Sequence, residues 1–456
     1  MISLTLAKLA EVLGAAPAEA ADASFRGVAI DSRQECEGRL FVAIAGENFD
    51  GHEFVEAAYQ KGAAAALVQS RQPSVIPQIV VDDCRHAMGR LANYWRHRCN
   101  PRMVALTGSN GKTTVKEMLY RILQSQAKTL ATRGNFNNDI GLPLTLFELD
   151  GSETYAVIEM GANHRGEIAR LCEIAEPDIV YVNNVGAAHL EGFGGIQGVI
   201  EAKGEIYAYC GPAQKALFNV DEPACQYWRE HCAAETQLGC GLDRPAEVSA
   251  NWSSSDGGVL IEFSYLGETG RCQIEVIGEH NVRNALAAVS LALLAGVDLT
   301  SAADGLAGFA GVKGRLQAMP GPAGSRLIDD SYNANPDSLE AGIRVLCSLD
   351  GEAWLALGDM RELGAGAEEL HREAAHCARE HGVQRFFGIG EMSSVASREF
   401  GEGGSAYADI DDMADDILAQ IHAGVNLLVK GSRGAHMERL VDRLRQTGQA
   451  GDVNAV

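Results

Sequence analysis

The sequence predicts an α/β protein in three domains, on three observations. At 456 residues the chain exceeds one ordinary core, and its length fits about three domains. From residue 103 onward, continuous β-branched runs alternate with helical stretches, the pattern of parallel sheets covered on both faces. Only residues 246–277 alternate apolar with polar positions between GG and GETG turns, which predicts a small antiparallel addition. The expected domains are residues 1–100, 101–312 and 313–456, and the sequence shows no internal repeat.

Lys8 and Glu11 interrupt the opening apolar residues, so the start reads as an amphipathic helix rather than a secretory signal. Residues 40–44 predict a strand, 46–54 a turn-rich loop and 55–66 an alanine-rich helix, completing a self-contained α/β unit. Pro101 marks the first boundary. The middle domain is expected to run through MVALT, a helix after Lys112, YAVIEMG (155–161), DIVYVNNVG (178–186) and KALFNVDEP (215–223). A helix begins near Asn281, and the glycine-dense residues 305–314 suggest a second interdomain connection. RLIDDSY, AWLALGDM, RFFGIG and NLLVKGS then form strand-plus-turn units between helices, predicting a Rossmann-like α/β domain.

TGSNGKTT carries the chemistry. A strand ends at Thr107, and Gly108 and Gly111 let the backbone double back through Ser109 and Asn110. Lys112, Thr113 and Thr114 then open a helix. Unpaired helix N–H groups and an ammonium converge on one point, as a phosphate chain requires. The middle domain is therefore expected to be a P-loop-type ATPase unit, with the Thr113 hydroxyl on the Mg²⁺ that accompanies ATP. The usual loop has four residues between its glycines; this one has two.

Ligands in parallel sheets gather beyond the carboxyl ends of the strands. Glu159 closes one such strand and His189 lies beyond another. With Thr113 they make a candidate hard-metal site for Mg²⁺, although histidine is an unusual ligand for that ion. Lys203, from chemistry alone, reads as a solvated helix lysine. Asn281 reads as a helix N-cap or as a contact for an adenine edge. Arg315 and Asp330 flank the third domain's first strand, where either fits an ordinary surface charge.

Composition narrows the field. A formal charge of −23 argues against a nucleic-acid surface but not against a nucleotide site, which needs only local donors and a metal. The 11 cysteines show no CxxC pair or metal spacing, so reduced core thiols are expected. No segment is long and apolar enough for membrane insertion. A cytoplasmic monomer is the expectation.

TGSNGKTT, IEMG, VGAAHLEGFG, EAKGEIY, GEHNVRNALAA, GRLQ and IDDSYNANPDS occur in the order of the Mur ligase family, and the chain resembles that family along its whole length. These are ATP-dependent, amide-forming enzymes of peptidoglycan assembly. DSRQ…GRLFVAIAGENFDGH, RGNFNNDIGLPLTL, GDMRELG and KGSRGAHME resemble the member that adds a dipeptide. The resemblance implies joining of D-alanyl-D-alanine to a UDP-N-acetylmuramoyl-tripeptide through an acyl phosphate. Residues 108–113 would hold the ATP phosphates, with Lys112, His189 and Lys203 catalytic. Thr113, Glu159, His189 and Lys203 would serve Mg²⁺, with Lys203 converted by CO₂ to an anionic carbamate. Asn281 would contact adenine, while Arg315 and Asp330 close over the nucleotide. Asp31, Ser32, Arg33, Asp50, Gly51 and His52 would receive the uridine nucleotide. Asn135, Asn137 and Asn138 would line the path of the peptide's reacting end. Asn333, Asn335 or the turn at 430–433 would meet the dipeptide. A single-amino-acid ligase of the same family, a catalytically silent nucleotide-binding regulator and a mechanical P-loop NTPase are the competing readings. The strings GNFNNDIGLPLTL and DDSYNANPDS weigh against the first, the joint presence of Lys112, Thr113, Glu159, His189 and Lys203 against the second, and the short loop spacing, with no partner-binding extension, against the third.

Overall fold

The computed structural model describes residues 1–16, 20–46, 49–186, 190–255 and 258–451. Its middle sheet has nine strands, running in space as Glu268–Ile274, Gly258–Tyr265, Val248–Ser255, Thr236–Gly241, Lys215–Asn219, Ile179–Val182, Arg102–Thr107, Tyr155–Glu159 and Thr129–Ala131. All neighbours are parallel except the last two pairs at the 258–274 end. The expected antiparallel addition is therefore an extension of the main sheet. Cys240 and Gly241 pair in parallel with Val248 and Ser249, and the hairpins grow outward from there.

Alternate residues of the central strand face opposite cores. Val104 and Leu106 meet the helix Lys112–Gln126, whose Val115, Met118, Leu119, Ile122 and Leu123 form one buried stripe against the helix Glu279–Leu294. Met103 and Ala105 face the other way, into the core that also takes in the buried face of the helix Cys84–Cys99. Trp95 Nε1 in that helix donates to the Leu149 carbonyl at 3.0 Å, and Arg96 Nε donates to the Ala175 carbonyl at 2.9 Å. Residues before 100 thus share a continuous apolar core with the middle sheet.

The first 100 residues also carry a two-stranded antiparallel ladder and a parallel sheet of Val28–Ala29, Leu40–Val42, Ala65–Val68 and Gln78–Val80. The opening helix is Leu6–Leu13, capped by Thr5 and amphipathic as expected. The alanine-rich helix is shorter than expected. It ends at Gln60, because Gly62 turns the chain at φ 82° and Ala65–Val68 enters the sheet fully buried. The glycine-dense connection likewise begins later than expected, after the helix Leu299–Leu306.

The third sheet has six strands, ordered Gln317–Pro320, Arg326–Asp330, Val425–Lys430, Glu352–Gly358, Arg385–Ile389 and Gly404–Tyr407. Only the first pair is antiparallel, and separate apolar cores cover the two faces. Among the described residues no helix is long and apolar enough to cross a membrane. All eleven cysteines are free.

Strand ends set the electrostatics. In the turn after Lys215–Asn219, Glu222 accepts the Val185 N–H at 3.2 Å, and burial pushes its carboxyl up from 4.5 to about 7. The folded chain therefore holds this proton more tightly than the unfolded chain. Its contribution is present below pH 4.5 and is lost as pH rises through about 7. Glu222→Gln should flatten that decline in urea-unfolding stability measured from pH 4.5 to 7.5; an unchanged slope would show that Glu222 titrates normally.

Candidate active site

The register brings the phosphate loop and Glu159 to one edge: Leu106 lies opposite Glu159, and Thr107 opposite Val182. Two asparagines directly after Val182 hold the loop. Asn184 Oδ1 accepts the Asn110 N–H at 2.8 Å, and Asn183 Nδ2 donates to the Asn110 carbonyl at 2.8 Å. Gly111 sits at φ 76°, where an added Cβ would lie 2.5 Å from Asn284 Oδ1. The short loop is thus packed against an asparagine cluster that sequence reasoning did not assign. Two consecutive asparagines ending a buried strand were the available signal.

Lys112 Nζ donates to the carbonyls of Gly108 at 2.6 Å and Ser109 at 3.2 Å. Burial holds its pKa down, opposed by the nearby Glu159 carboxylate and reinforced by Arg315. Arg315 reaches from the third domain, with Nη2 3.5 Å from Thr113 Oγ1 and its guanidinium 4.1 Å from the Tyr332 ring centre. Asn335 makes a second bridge: Nδ2 donates to Asn110 Oδ1 at 2.8 Å, while its own Oδ1 caps the helix Pro336–Cys347.

Glu159 is 3% exposed. Asn137 Nδ2 donates to its Oε1 at 2.9 Å, whereas Oε2 is buried without a hydrogen-bond partner, as is Thr107 Oγ1. A desolvated carboxylate oxygen at the same sheet edge as the Thr113 hydroxyl offers hard-oxygen donors, and it fits Mg²⁺. His189 lies outside the described residues.

Lys203 is not a solvated side chain. Within the helix Ile196–Ala208 it is 1% exposed, with Nζ 5.8 Å from the Phe193 ring centre. Burial first, and the Lys112 charge second, push its pKa well below the usual lysine value. The same helix is tied to the loop at residues 161–166, since Glu205 accepts the N–H groups of Gly166 at 2.7 Å and Ala169 at 3.1 Å.

Three cavities meet at this edge. One, of about 380 Å³, lies between the middle and third domains and is lined by Gly111, Asn183, Asn281, Asn284, Arg315, Asp330 and Lys430, with His280 and Glu222. Burial, with the Lys430 charge, pushes His280 down to about 4, so it is neutral at physiological pH. Asn281 is no N-cap. It is the third residue of its helix, and its Nδ2 donates to the Ile277 carbonyl at 2.8 Å. Asp330 is no surface charge: it is buried, pairs with Lys430 and accepts the Leu316 N–H at 3.1 Å. Lys430 also donates to the Asn333 carbonyl at 3.1 Å, so that part of the 430–433 turn is committed within its own domain.

The second cavity, about 730 Å³, runs from Lys112 and Glu159 past Asn135, Asn137, Asn138 and Asn333 to Arg85, Arg165 and Arg433. Asn138 Oδ1 already accepts the Gly141 N–H at 2.8 Å. The third, about 290 Å³, lies beside Lys112, Asn335, Arg361 and Arg433.

None of Asp31, Ser32, Arg33, Asp50, Gly51 and His52 lines these cavities. Their polar groups make local turns: Asp31 pairs with Arg33 at 2.9 Å, and Asp50 Oδ1 accepts the His52 N–H at 3.0 Å. His52 Nε2 accepts the Gln69 N–H at 2.9 Å.

Comparison with known proteins matches residues 24–96 to the Mur ligase family catalytic domain, 106–292 to the Mur ligase middle domain and 314–433 to the Mur ligase glutamate ligase domain. UDP-N-acetylmuramoyl-tripeptide–D-alanyl-D-alanine ligase of Escherichia coli (strain K12) is 39% identical, over 98% of this chain and 100% of its own. The Bacillus subtilis (strain 168) protein of the same name is 34% identical over 92% and 93%. A crystal structure of MurF from Acinetobacter baumannii superposes with TM-score 0.90 at 33% identity, covering 98% of this chain and 99% of that one. MurF ligase from Thermotoga maritima in complex with ADP gives 0.84 at 26% identity, over 93% and 98%. With this fold, this edge and these relatives, the chain belongs to the Mur ligase family.

Proposed function

We propose that this chain uses ATP to join D-alanyl-D-alanine to UDP-N-acetylmuramoyl-tripeptide, giving the pentapeptide precursor of peptidoglycan, ADP and phosphate. The relatives at 39% and 34% identity carry that reaction in their names. One observation carries the reading: Arg315 and the buried Lys203 both bring positive charge to Lys112 at the phosphate loop, where the Glu159 carboxylate opposes it. Such an excess of desolvated positive charge suits a triphosphate and the carboxylate that attacks it.

A carboxylate is a poor electrophile, so it must first be activated. The peptide's terminal carboxylate oxygen attacks the γ-phosphorus, the bond to the bridging oxygen breaks, and an acyl phosphate and ADP result. Lys112 and the loop N–H groups lower the mutual repulsion of the attacking, transferred and leaving oxygens. Thr113 and Glu159, with His189, would hold Mg²⁺, which supplies further neutralisation of the phosphate oxygens. The dipeptide's amine then attacks the acyl carbon, and phosphate leaves. Asn281 would orient the adenine from inside the 380 Å³ cavity, with Arg315 and Asp330 closing it from the third domain. The larger cleft would take the peptide past Asn135, Asn137 and Asn138. The smaller one, with Asn333 and Asn335 on its wall, suits the incoming dipeptide. The uridine nucleotide would lie further out, toward Asp31 to Arg33 and Asp50 to His52.

Lys203 has the character needed for carbamate formation. Its depressed pKa favours the neutral amine, whose lone pair adds to CO₂ with loss of one proton. The resulting anion would offset Lys112 and support the metal site. The domain bounds are proposed at 1–100, 101–312 and 313–456, and the working form as a cytoplasmic monomer.

The deciding experiment is phosphate release with UDP-N-acetylmuramoyl-tripeptide and either D-alanyl-D-alanine or single amino acids. Release should require the dipeptide; equal release with a single amino acid would transfer the chain to another branch of the family. Lys112→Ala should lower that release by about 10²–10³-fold or more while leaving UDP-substrate affinity within about twofold. Equal loss of both would mean that the loop does not hold the phosphates. Lys203→Ala should be inactive and partly restored by formate or acetate, which supply an anion. Full activity without them would remove Lys203 from the site.

A further inference from the structure

Lys116 is a buried cation that the proposed reaction does not use. It lies one turn beyond Lys112 on the same helix and is 1% exposed. Its ammonium donates to the Thr132 carbonyl at 2.6 Å and pairs with Glu117 at 2.6 Å. Thr132, also 1% exposed, follows the edge strand Thr129–Ala131 and is fixed at all of its polar groups. Its N–H donates to the Val157 carbonyl at 3.0 Å, its carbonyl accepts from Lys116, and its Oγ1 accepts the Glu159 N–H at 3.0 Å. Five residues later the same segment returns to the other end of Glu159. Asn137 Nδ2 donates to Glu159 Oε1 at 2.9 Å, and the Asn137 carbonyl accepts the Gly161 N–H at 2.8 Å.

Residues 132–137 therefore grip Glu159 by its backbone and by one carboxylate oxygen, leaving Oε2 as the buried, partnerless atom. Burying an ammonium costs free energy that a backbone carbonyl and one half-exposed carboxylate only partly offset. Retaining it beneath the phosphate loop makes sense if it fixes something whose direction matters. From this geometry we infer that Lys116 and Thr132 are positioning residues. Together with Asn137 they aim Glu159 Oε2 at the divalent cation that accompanies ATP. The inference rests on the metal role proposed for Glu159 and adds the elements that make it directional. It also gives Asn137 a principal task other than lining the peptide path.

Removing such an outer partner ordinarily costs about 10–100-fold in metal affinity. The test is a Mn²⁺ titration by electron paramagnetic resonance on the full chain with a non-hydrolysable ATP analogue. Affinity for the metal-free analogue is measured alongside it. Thr132→Val and Lys116→Met should each weaken Mn²⁺ binding about 10–100-fold, with metal-free analogue affinity within about twofold of the parent and Thr132→Ser close to the parent. A merely structural role would lower both affinities together, or neither, and would overturn the inference. Glu159→Gln is the control. If it weakens Mn²⁺ binding while Thr132→Val does not, the positioning role fails and the metal role stands. If Glu159→Gln leaves Mn²⁺ binding unchanged, both fail. Should Lys116→Met not fold, the Val and Ser variants at position 132 decide the matter.

Discussion

Unbalanced buried charge is the constraint on which the rest of this structure depends. Lys112 and Lys203 are both desolvated; Arg315 further disfavours protonation of Lys112, and Lys112 that of Lys203, while Glu159 is the acidic group that opposes Lys112. Such an arrangement is costly in isolation, and the surrounding architecture is what maintains it. The phosphate loop is tied to Asn183 and Asn184 by backbone and amide hydrogen bonds. Glu159 is gripped by Thr132 and Asn137, so the charges keep their relative positions without neutralising one another directly. A triphosphate with its divalent cation would supply the missing negative charge and, as proposed, the metal that Glu159 Oε2 fits.

The third domain contributes differently. Asn335 touches Asn110 and Arg315 touches Thr113, so the domain meets the phosphate loop itself as well as its rim. The elements behind those contacts are stiff: Asp330 pairs with Lys430 in adjacent parallel strands and also fixes the backbone of Leu316, next to Arg315. An acyl phosphate hydrolyses in water, and in the proposed reaction a domain closed over the loop would limit that loss while bringing the amine donor to the reacting carbon.

Much of this was legible in the sequence because it is local. The strand, two glycines and a Lys-Thr helix start in TGSNGKTT dictate their own geometry, and β-branched runs dictate a parallel sheet. What was missed is tertiary. Nothing local distinguishes Lys203 from a solvated helix lysine; its burial comes from the neighbours that cover the helix Ile196–Ala208. Lys116 reads the same way until the edge strand delivers the Thr132 carbonyl to it. Asn281 falls inside its helix because Glu279 and His280 already have helical geometry after Gly278. Likewise, the helix expected at 55–66 stops at Gln60, since the sheet claims Ala65–Val68. The first-domain residues Asp31 and His52 are spent on their own turns, and a motif string does not reveal that its members bond to one another.

The most direct test of the account is a crystal structure with Mg²⁺ and a non-hydrolysable ATP analogue. The γ-phosphate is expected against Lys112, with the metal between Thr113 and Glu159 Oε2 and the base in the cavity beside Asn281. A nucleotide seated away from the carboxyl edge of the middle sheet, or a metal that does not touch Glu159, would contradict it.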